Sequence, residues 1–392
     1  MTMTPSLPDR LQRYRDDLEV IEKDEPETAR ALAETMMSIA YKTYEDGGHA
    51  IRTVHAKSHG LLEAEVEVYP DLPAPLAQGI FARPGRYRAI VRLSTTPGDI
   101  LHDSVSTPRG FALKILDVEG ERLNPEEDSR SQDFVMANGK QFNAPSAKAF
   151  LKNLKLLAAT TDRAEGLKQT FSKVLRGVEG LVEKLGGESA ALKALGGQPE
   201  THILGESFFG QLPMRYGDYV AKLAIVPVSP ELTALTGTHL ELDDDKDALR
   251  HAVEEFFRMN GGTWELRVQL CTDAERMPIE DASAAWSEEE SPFIPVARIH
   301  AEPQTAWSEE KALSIDDGMS FRPFNGLSAH RPLGSMMRMR KLAYRRSAGF
   351  RSERNEPGID ELSKTGEALH PDVARRVTTP SQAPIAAGGV AR

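Results

Sequence analysis

Strand patterns in two separate parts of the chain constrain its fold more than any other feature. In the first part, apolar and charged residues alternate along LLEAEVEV at residues 61–68, and further runs follow in GRYRAIVRLST, RGFALKILDVEG and QDFVMANG. In the second part, the runs are DYVAKLAIVPVSP, WELRVQLCTD and PFIPVARIHAEP. Gly, Pro and Asp turns separate the runs, as is typical of consecutive strands. The sequence therefore predicts an antiparallel sheet or barrel.

Helical patterns precede and interrupt these strands. Apolar residues recur at helical spacing over residues 9–45, where Pro26 separates two segments and Gly47-Gly48 ends the second. Another helical stretch covers about 146–195. We therefore predict an N-terminal helical arm at 1–45, a barrel domain at 46–352 that contains this insertion, and a mobile tail at 353–392. The arm could wrap a neighbouring subunit or pack on its own chain.

Charge and cysteine content exclude several classes of protein. The 392 residues carry a net charge of -11, which disfavours a general nucleic-acid binder because phosphates attract basic surfaces. The single cysteine, Cys271, excludes an internal disulfide and a thiolate metal cluster. Neither a signal-peptide core nor a run of about 20 apolar residues occurs, so we expect a cytoplasmic protein without a membrane span.

Residues 336–351, MMRMRKLAYRRSAGFR, form an unusual helical pattern. A helix places four of these residues on one stripe: Met336, Arg340, Tyr344 and Arg351. A guanidinium one turn from a tyrosine favours the charged phenolate, and a phenolate is the oxygen ligand of iron in tyrosine-ligated haem proteins. The alternative is a basic surface helix with one amphipathic tyrosine.

His55 is a second candidate, in the run RTVHAK at residues 52–57. A neutral imidazole in an apolar, strand-like context can accept a proton and return it, which is the general acid–base role. The alternative for a lone histidine is a hydrogen-bonded core residue without chemistry.

These runs and several others occur in an order that resembles the catalase superfamily. The set is RTVHAK, then VRLST at 91–95, PRGFALK at 108–114, NGKQF ending at Phe142, PMRYGDYVAK at 213–222, RKLAY at 340–344 and Arg351. It spans about residues 45–352 and is more similar to small, divergent catalase-related haem proteins than to full catalases, because a flavodoxin-like C-terminal domain is missing. The resemblance implies an α+β fold: an antiparallel β-barrel with an N-terminal helical arm, inserted helices and a C-terminal helix that carries the haem ligand.

The resemblance also implies haem b as the cofactor and a role for each site residue. Tyr344 is similar to the residue that binds the iron, and Arg340 to the arginine that keeps this phenolate charged. His55 is similar to the histidine that moves a proton between the two peroxide oxygens, and Ser94 to the serine that bonds this histidine. The remaining implied contacts to the cofactor are Arg52, Arg92 and Arg351 at the propionates, and Val54, Phe142 and Met336 near the ring and iron.

One departure from the catalase pattern affects the expected activity. Catalases pair the histidine with an asparagine, but counting back from Phe142 places that position near Ser129, and no asparagine is there. Ser129, Ser131 or Gln132 could substitute as a donor, or nothing does, and losing one such contact can cost about a hundredfold in rate. We therefore expect weak catalase activity or an organic peroxidase.

The resemblance implies hydrogen peroxide or an organic hydroperoxide as substrate, with a small organic reductant for a peroxidase. One alternative is a hydroperoxide isomerase of the allene-oxide-synthase type, and another is a non-catalytic haem-binding or sensor protein. A long helical arm and an acidic surface are compatible with a homo-oligomer.

A regular strand would not let Arg52, Val54 and His55 face one site, because successive side chains of a strand point to opposite faces. We expect either an irregular backbone at these residues or contacts with different parts of the cofactor.

Overall fold

Eight strands close into an antiparallel β-barrel in the computed structural model, which describes residues 6–127, 129–158 and 197–355. The strands of the sheet are β1 Ser58–Val68, β2 Gly85–Thr95, β3 Arg109–Ile115, β4 Gln132–Ala137, β5 Phe208–Phe209, β6 Met214–Tyr216, β7 Tyr219–Pro227, β8 Gly262–Leu270 and β9 Ile294–Ala301. The ring runs β1–β2–β3–β4–β5–β7–β8–β9 and returns to β1, and β6 pairs beside β7. The predicted α+β fold with an antiparallel β-barrel is therefore confirmed.

Alternation along the strands divides their side chains between the two faces of the barrel. In β2, Val91 and Leu93 belong to the interior core, whereas Arg92 and Ser94 belong to the outer face. The interior is apolar, and the rings of Phe111 and Trp264 meet edge to face with centroids 5.7 Å apart. Arg92 and Ser94, on the outer face of β2, are therefore buried by another layer of the structure and not by the barrel interior.

A layer of helices covers this outer face. The helices of the described chain are α1 Glu25–Gly47, α2 Ala147–Ala158, α3 Pro230–Thr233, α4 Ala248–Met259, α5 Glu309–Lys311 and α6 Ser335–Arg354, and a π-helical turn, Ala312–Asp317, follows α5. Of these, α1, α2 and α6 lie over the outer face of β2, whereas α3 and α4 pack against the interior core. α1, α2 and α6 pack on one another through an apolar cluster that includes Leu32, Met36, Leu154 and Ala343. Within the described residues, no helix is both long and apolar enough to cross a bilayer.

The first part of the arm departs from the helix that we predicted over residues 9–45. The helix begins only at Glu25, and before it the described chain forms a single 3-10 turn, Asp16–Leu18. The backbone here bonds to the barrel instead, since the N–H of Tyr14 donates to the carbonyl of Asp218 at 2.8 Å. A tertiary backbone contact has overridden the helical spacing of the apolar residues.

The later part of the arm follows the prediction. Pro26 lies in the first turn of α1, and Gly48 ends the helix in the left-handed conformation with φ 69°. Of the helical insertion predicted at 146–195, the described part is α2, and residues 159–196 lie outside the described ranges. The predicted tail also lies outside them from residue 356 onward.

Ion pairs hold the beginning of α6 in place. The Nε atom of Arg338 donates to Glu25 at 2.7 Å, and its Nη1 atom lies 3.2 Å from Glu280. Glu280 also accepts the N–H of Ser335 at 2.7 Å, which satisfies a free donor at the helix N-terminus. These contacts fix α6 against the arm, so the side chains on its inner face keep a defined position.

Candidate functional site

A cavity of about 360 Å³ lies between the outer face of the barrel and the helical layer. Outer residues of β2, β3 and β4, the segment before β1, and helices α1 and α6 form its wall. All ten candidates from the sequence line it: His55, Ser94, Arg340, Arg52, Val54, Arg92, Phe142, Met336, Arg351 and Tyr344. Its volume falls in the range of roughly 300–1,000 Å³ that is usual for ligand sites.

The segment that carries Arg52, Val54 and His55 is not a strand, because β1 begins only at Ser58. His55 has a left-handed backbone with φ 54°, which for a residue other than glycine costs on the order of 1–3 kcal/mol. Its N–H donates to the carbonyl of Thr96 at 2.8 Å. The irregular backbone that we expected here is present, and it lets all three side chains reach one cavity.

Ser94 holds one side of the His55 imidazole. The Nδ1 atom of His55 lies 3.1 Å from Oγ of Ser94, and either atom can be the donor, depending on the tautomer. Within the described ranges, no group bonds the other ring nitrogen, Nε2. Burial lowers the pKa of His55 to about 3, and nearby guanidinium groups add to the effect, those of Arg92, Arg340 and Arg52. The imidazole is therefore uncharged at neutral pH and able to accept a proton.

Gly110 of β3 leaves the space that this imidazole occupies. A Cβ atom at position 110 would lie 2.5 Å from Nδ1 of His55 and 2.9 Å from Oγ of Ser94. Both distances are too short for non-bonded atoms, so the His55–Ser94 contact requires glycine at this point of β3. The run PRGFALK contains this glycine, but the strand pattern alone gave no reason to select it.

Tyr344 and Arg340 reach the same cavity from α6. The guanidinium of Arg340 lies over the ring of Phe142, 5.1 Å from its centroid. Among the described residues, no carboxylate pairs with Arg340 and no group bonds the hydroxyl of Tyr344. Burial lowers the pKa of Arg340, whereas Tyr344 acts in the opposite direction. A buried cation of this kind favours a negative charge beside it, and the phenol oxygen of Tyr344 can carry one.

Arg52, Arg92 and Arg351 converge on Asp316, which the sequence analysis did not select. Arg52 Nη1 and Arg92 Nε donate to Oδ1 of Asp316 at 2.9 and 2.5 Å. Arg351 donates to the backbone carbonyls of Asp316 and Met319. Burial alone would raise the pKa of Asp316, but Arg92 and Arg52 outweigh it and hold that pKa below its usual range. An acidic pair in a turn is usually solvated, so the local pattern did not mark it.

The three residues that the sequence offered as possible substitutes for an asparagine do not line the cavity. Ser129 and Ser131 bond each other with their Oγ atoms 3.2 Å apart, and Oε1 of Gln132 accepts the N–H of Leu327 at 2.9 Å. Their contacts agree with the other alternative, in which nothing replaces the asparagine at this position.

Asn138, directly after β4, is an asparagine that does line the cavity. Its Oδ1 atom accepts the N–H of Arg109 at 2.9 Å, and its Nδ2 atom donates to Glu206. The amide is thus held mainly by neighbours in the fold. Asn138 is the first residue of the run NGKQF, so the sequence does contain an asparagine close to Phe142. That run was used only to locate Phe142.

Other metal sites built from the usual ligands are missing from residues 6–127, 129–158 and 197–355. In these ranges, no three His, Cys, Asp or Glu side chains come together to hold an ion. Cys271 is buried, and burial raises its pKa to about 12, so this thiol is protonated and unreactive at neutral pH.

Solved structures with a similar fold are catalases. A fungal catalase matches with a TM-score of 0.55 and 15% identity over 84% of this chain and 64% of its own. A bacterial catalase matches with a TM-score of 0.54 and 14% identity, over 93% of this chain and 70% of its own. Catalase A from Saccharomyces cerevisiae matches with a TM-score of 0.52 and 16% identity, over 91% of this chain and 70% of its own. No family model matches the sequence, and no curated protein matches it.

The present chain thus spans slightly less than two thirds of the fungal catalase. Identities this low carry information on the fold alone, and here three catalases agree on it. The chain therefore has a catalase-like fold.

Proposed function

We propose that this protein is a haem-dependent oxidoreductase that metabolises a peroxide. The observation that supports it most is the content of one cavity, where Tyr344 and Arg340 of α6 meet His55 and Ser94 from the barrel side. An oxygen ligand beside a buried cation and a neutral imidazole able to carry a proton are the groups that peroxide cleavage at a tyrosine-ligated haem requires.

The residues present fit haem b. The hydroxyl of Tyr344 has no partner among the described residues, so it is available to iron, and its ionised form would compensate the buried guanidinium of Arg340. At the arginine cluster, Nε of Arg351 is buried without a partner and suits a propionate oxygen. Val54, Phe142 and Met336 supply apolar wall. When bound, the haem supplies the iron redox chemistry that breaks an O–O bond.

The protein's own part in the reaction is to hold and move one proton. His55 is neutral, so it takes a proton from one oxygen of the peroxide and returns it to the other, which then leaves as water or an alcohol. Because Ser94 occupies Nδ1, the ring nitrogen available for this transfer is Nε2. The buried guanidinium of Arg340 would compensate the negative charge of Tyr344 when its phenol oxygen holds iron.

The expected substrates are hydrogen peroxide or an organic hydroperoxide, with a small organic reductant. We propose weak catalase or organic peroxidase activity, because the amide of Asn138 is held by Arg109 and Glu206. A polar group committed to the fold gives less help to a peroxide oxygen than a free donor does.

Replacing Gly110 by alanine is expected to displace the imidazole of His55 and break its contact with Ser94. A displacement of about 1 Å can cost about a hundredfold in rate, so peroxide turnover should fall by that order while circular dichroism still reports a folded barrel. Gly139→Ala is the matched control, since Gly139 lines the same cavity but its Cβ would approach Nε2 of Gln211 no closer than 3.4 Å. Equal turnover by the two variants would contradict the role of Gly110.

The pH dependence of turnover follows from the state of His55. Its pKa is lowered to about 3, so the neutral, proton-accepting form persists from alkaline pH down to about 4. We expect kcat/KM for the peroxide to stay flat between pH 8 and about 5, instead of falling through the ordinary histidine pKa of about 6.5. Measurement of kcat/KM from pH 4 to 8, with folding checked at each pH, tests this. A fall in kcat/KM centred near pH 6.5 would show that His55 is protonated more easily than its surroundings imply.

Hemin titration of the purified protein tests the proposal directly. A stoichiometric Soret band with tyrosinate character is the expected result, and a protein that takes up no hemin would rule the proposal out. Oxygen release from hydrogen peroxide then indicates catalase activity, and oxidation of guaiacol without oxygen release indicates a peroxidase. Consumption of a fatty-acid hydroperoxide with neither would indicate an isomerase, and bound hemin without turnover would indicate a sensor.

A further inference from the structure

Asp316 is the centre of a buried cluster of three arginines. It lies in the π-helical turn Ala312–Asp317, and its side chain is 18% exposed. Its Oδ1 atom accepts from Arg52 and Arg92, at 2.9 and 2.5 Å, and its Oδ2 atom accepts from the hydroxyl of Ser58 at 2.5 Å. Both oxygens of this carboxylate are therefore occupied by the fold and are not free for a ligand.

The three arginines differ in how many of their N–H groups remain available. Both terminal nitrogens of Arg52 are fully used: Nη1 donates to the side chain and carbonyl of Asp316, and Nη2 donates to the carbonyls of Ile315 and Met319. Arg92 uses its Nε atom on Asp316 and its Nη2 atom on the carbonyl of Ala56.

Arg351 retains a free donor of its own. It donates from Nη1 to the carbonyl of Asp316 and from Nη2 to the carbonyl of Met319, but its Nε atom is buried without a partner. A guanidinium has five N–H donors in a rigid fork. Arg92 and Arg351 therefore keep free donors on groups whose orientation the turn has already set, whereas Arg52 has little left to offer.

The charges of the cluster point to the kind of ligand that it takes. Three guanidinium groups surround the carboxylate of Asp316, and Asp317, which bonds His49 and Asn355, adds a second negative charge near Arg52 and Arg351. A cluster with a surplus of positive charge in a buried place is best balanced by a ligand that brings negative charge with it. A tetrapyrrole with two carboxylates satisfies this requirement and matches the free donors of two arginines.

We propose that Asp316 is a positioning residue, which with Arg52 as its brace aims Arg92 and Arg351 at the two carboxylates of a porphyrin. This inference rests on the proposed haem function and assigns Arg52 a different task from the propionate contact that the resemblance implies. Asp316 acts through the arginines and makes no contact of its own with the ligand.

The substitution Asp316→Asn separates positioning from simple charge. Coulomb's law alone predicts that removing a negative charge tightens the binding of an anionic porphyrin. Positioning predicts the opposite, because arginines released from Asp316 no longer hold their orientation. We expect hemin to bind about tenfold more weakly, the lower end of the usual loss when a partner that orients a binding group is removed. Hemin dimethyl ester, which lacks both charges, should bind the variant and the wild type alike.

Asp317→Asn is the matched control, since it makes the same change one residue away on a carboxylate bonded to His49 and Asn355. It removes the same charge near Arg52 and Arg351 without releasing an arginine from Asp316, so the preference for hemin over the ester should rise slightly and should not fall. Equal or tighter hemin binding by Asp316→Asn would overturn the positioning role while leaving the haem proposal intact. Failure of the wild-type protein to bind hemin would overturn both.

Ser58→Ala provides a second test if Asp316→Asn does not fold. It keeps every charge and removes the hydrogen bond to Oδ2 of Asp316. Hemin binding should weaken in the same direction, with no change for the ester. Unchanged hemin affinity in a folded Ser58→Ala protein would count against the positioning role.

Discussion

Tyr344→Phe is expected to weaken hemin binding at least about tenfold, a loss of ~1.4 kcal/mol or more, and to shift the Soret band of any hemin that remains. The substitution keeps the ring and removes only the oxygen that would hold the iron. The effect should be large for two reasons. The substitution removes the iron ligand, and it also removes the group that could balance the charge of Arg340, whose buried guanidinium pairs with no carboxylate among the described residues. Hemin titration followed by absorbance measures both the affinity and the spectrum.

Tyr41→Phe provides the control for this result. Tyr41 lies on α1, is 48% exposed, and packs edge to face on Phe350 instead of lining the cavity. Its substitution should leave hemin affinity and spectrum unchanged. If Tyr344→Phe also binds hemin with the wild-type spectrum, the iron ligand is another residue and the central assignment is wrong.

His55→Ala is expected to retain hemin and lose most peroxide turnover, by about a hundredfold to ten-thousandfold, the usual contribution of a general acid–base group. The imidazole contributes no predicted bond to the cofactor, so affinity should change little. Its loss removes the one neutral base identified at the cavity, which is held by Ser94 at 3.1 Å and kept uncharged by burial. Initial rates of peroxide consumption at saturating hemin measure the effect.

His239→Ala is the control for histidine removal, because its side chain is 65% exposed and its neighbour is Glu241 rather than the cavity wall. Turnover should match the wild type. Full activity in His55→Ala would show that another group carries the proton. The Tyr344 and His55 variants together separate failure to bind the cofactor from failure to perform the chemistry.

The main strands were predictable because their signal is local. In GRYRAIVRLST, alternation assigns Val91 and Leu93 to one face and Arg92 and Ser94 to the other, and β2 has this arrangement. All ten residues chosen from ordered sequence runs line one cavity, although their chemical roles stay predictions.

The errors arose where position depends on distant parts of the chain. Residues before Glu25 have helical spacing, but their backbone bonds to the barrel instead. The sequence left open whether Ser129, Ser131 or Gln132 replaces an asparagine, and only the packing of the chain shows that none of them lines the cavity. Asp316 was not selected at all, because its partners Arg52 and Arg92 are far away in the sequence.

The sequence by itself determined which side chains share a face, because the periods of a strand and of a helix are properties of the local backbone. This is why the four-residue spacing of Arg340 and Tyr344 is enough to place them on one stripe of a helix. Only the tertiary structure decided what meets across elements: Gly110 beneath the imidazole, Asp316 among the arginines, and the left-handed turn at His55. Such contacts depend on how strands and helices pack in space, and no local spacing records that.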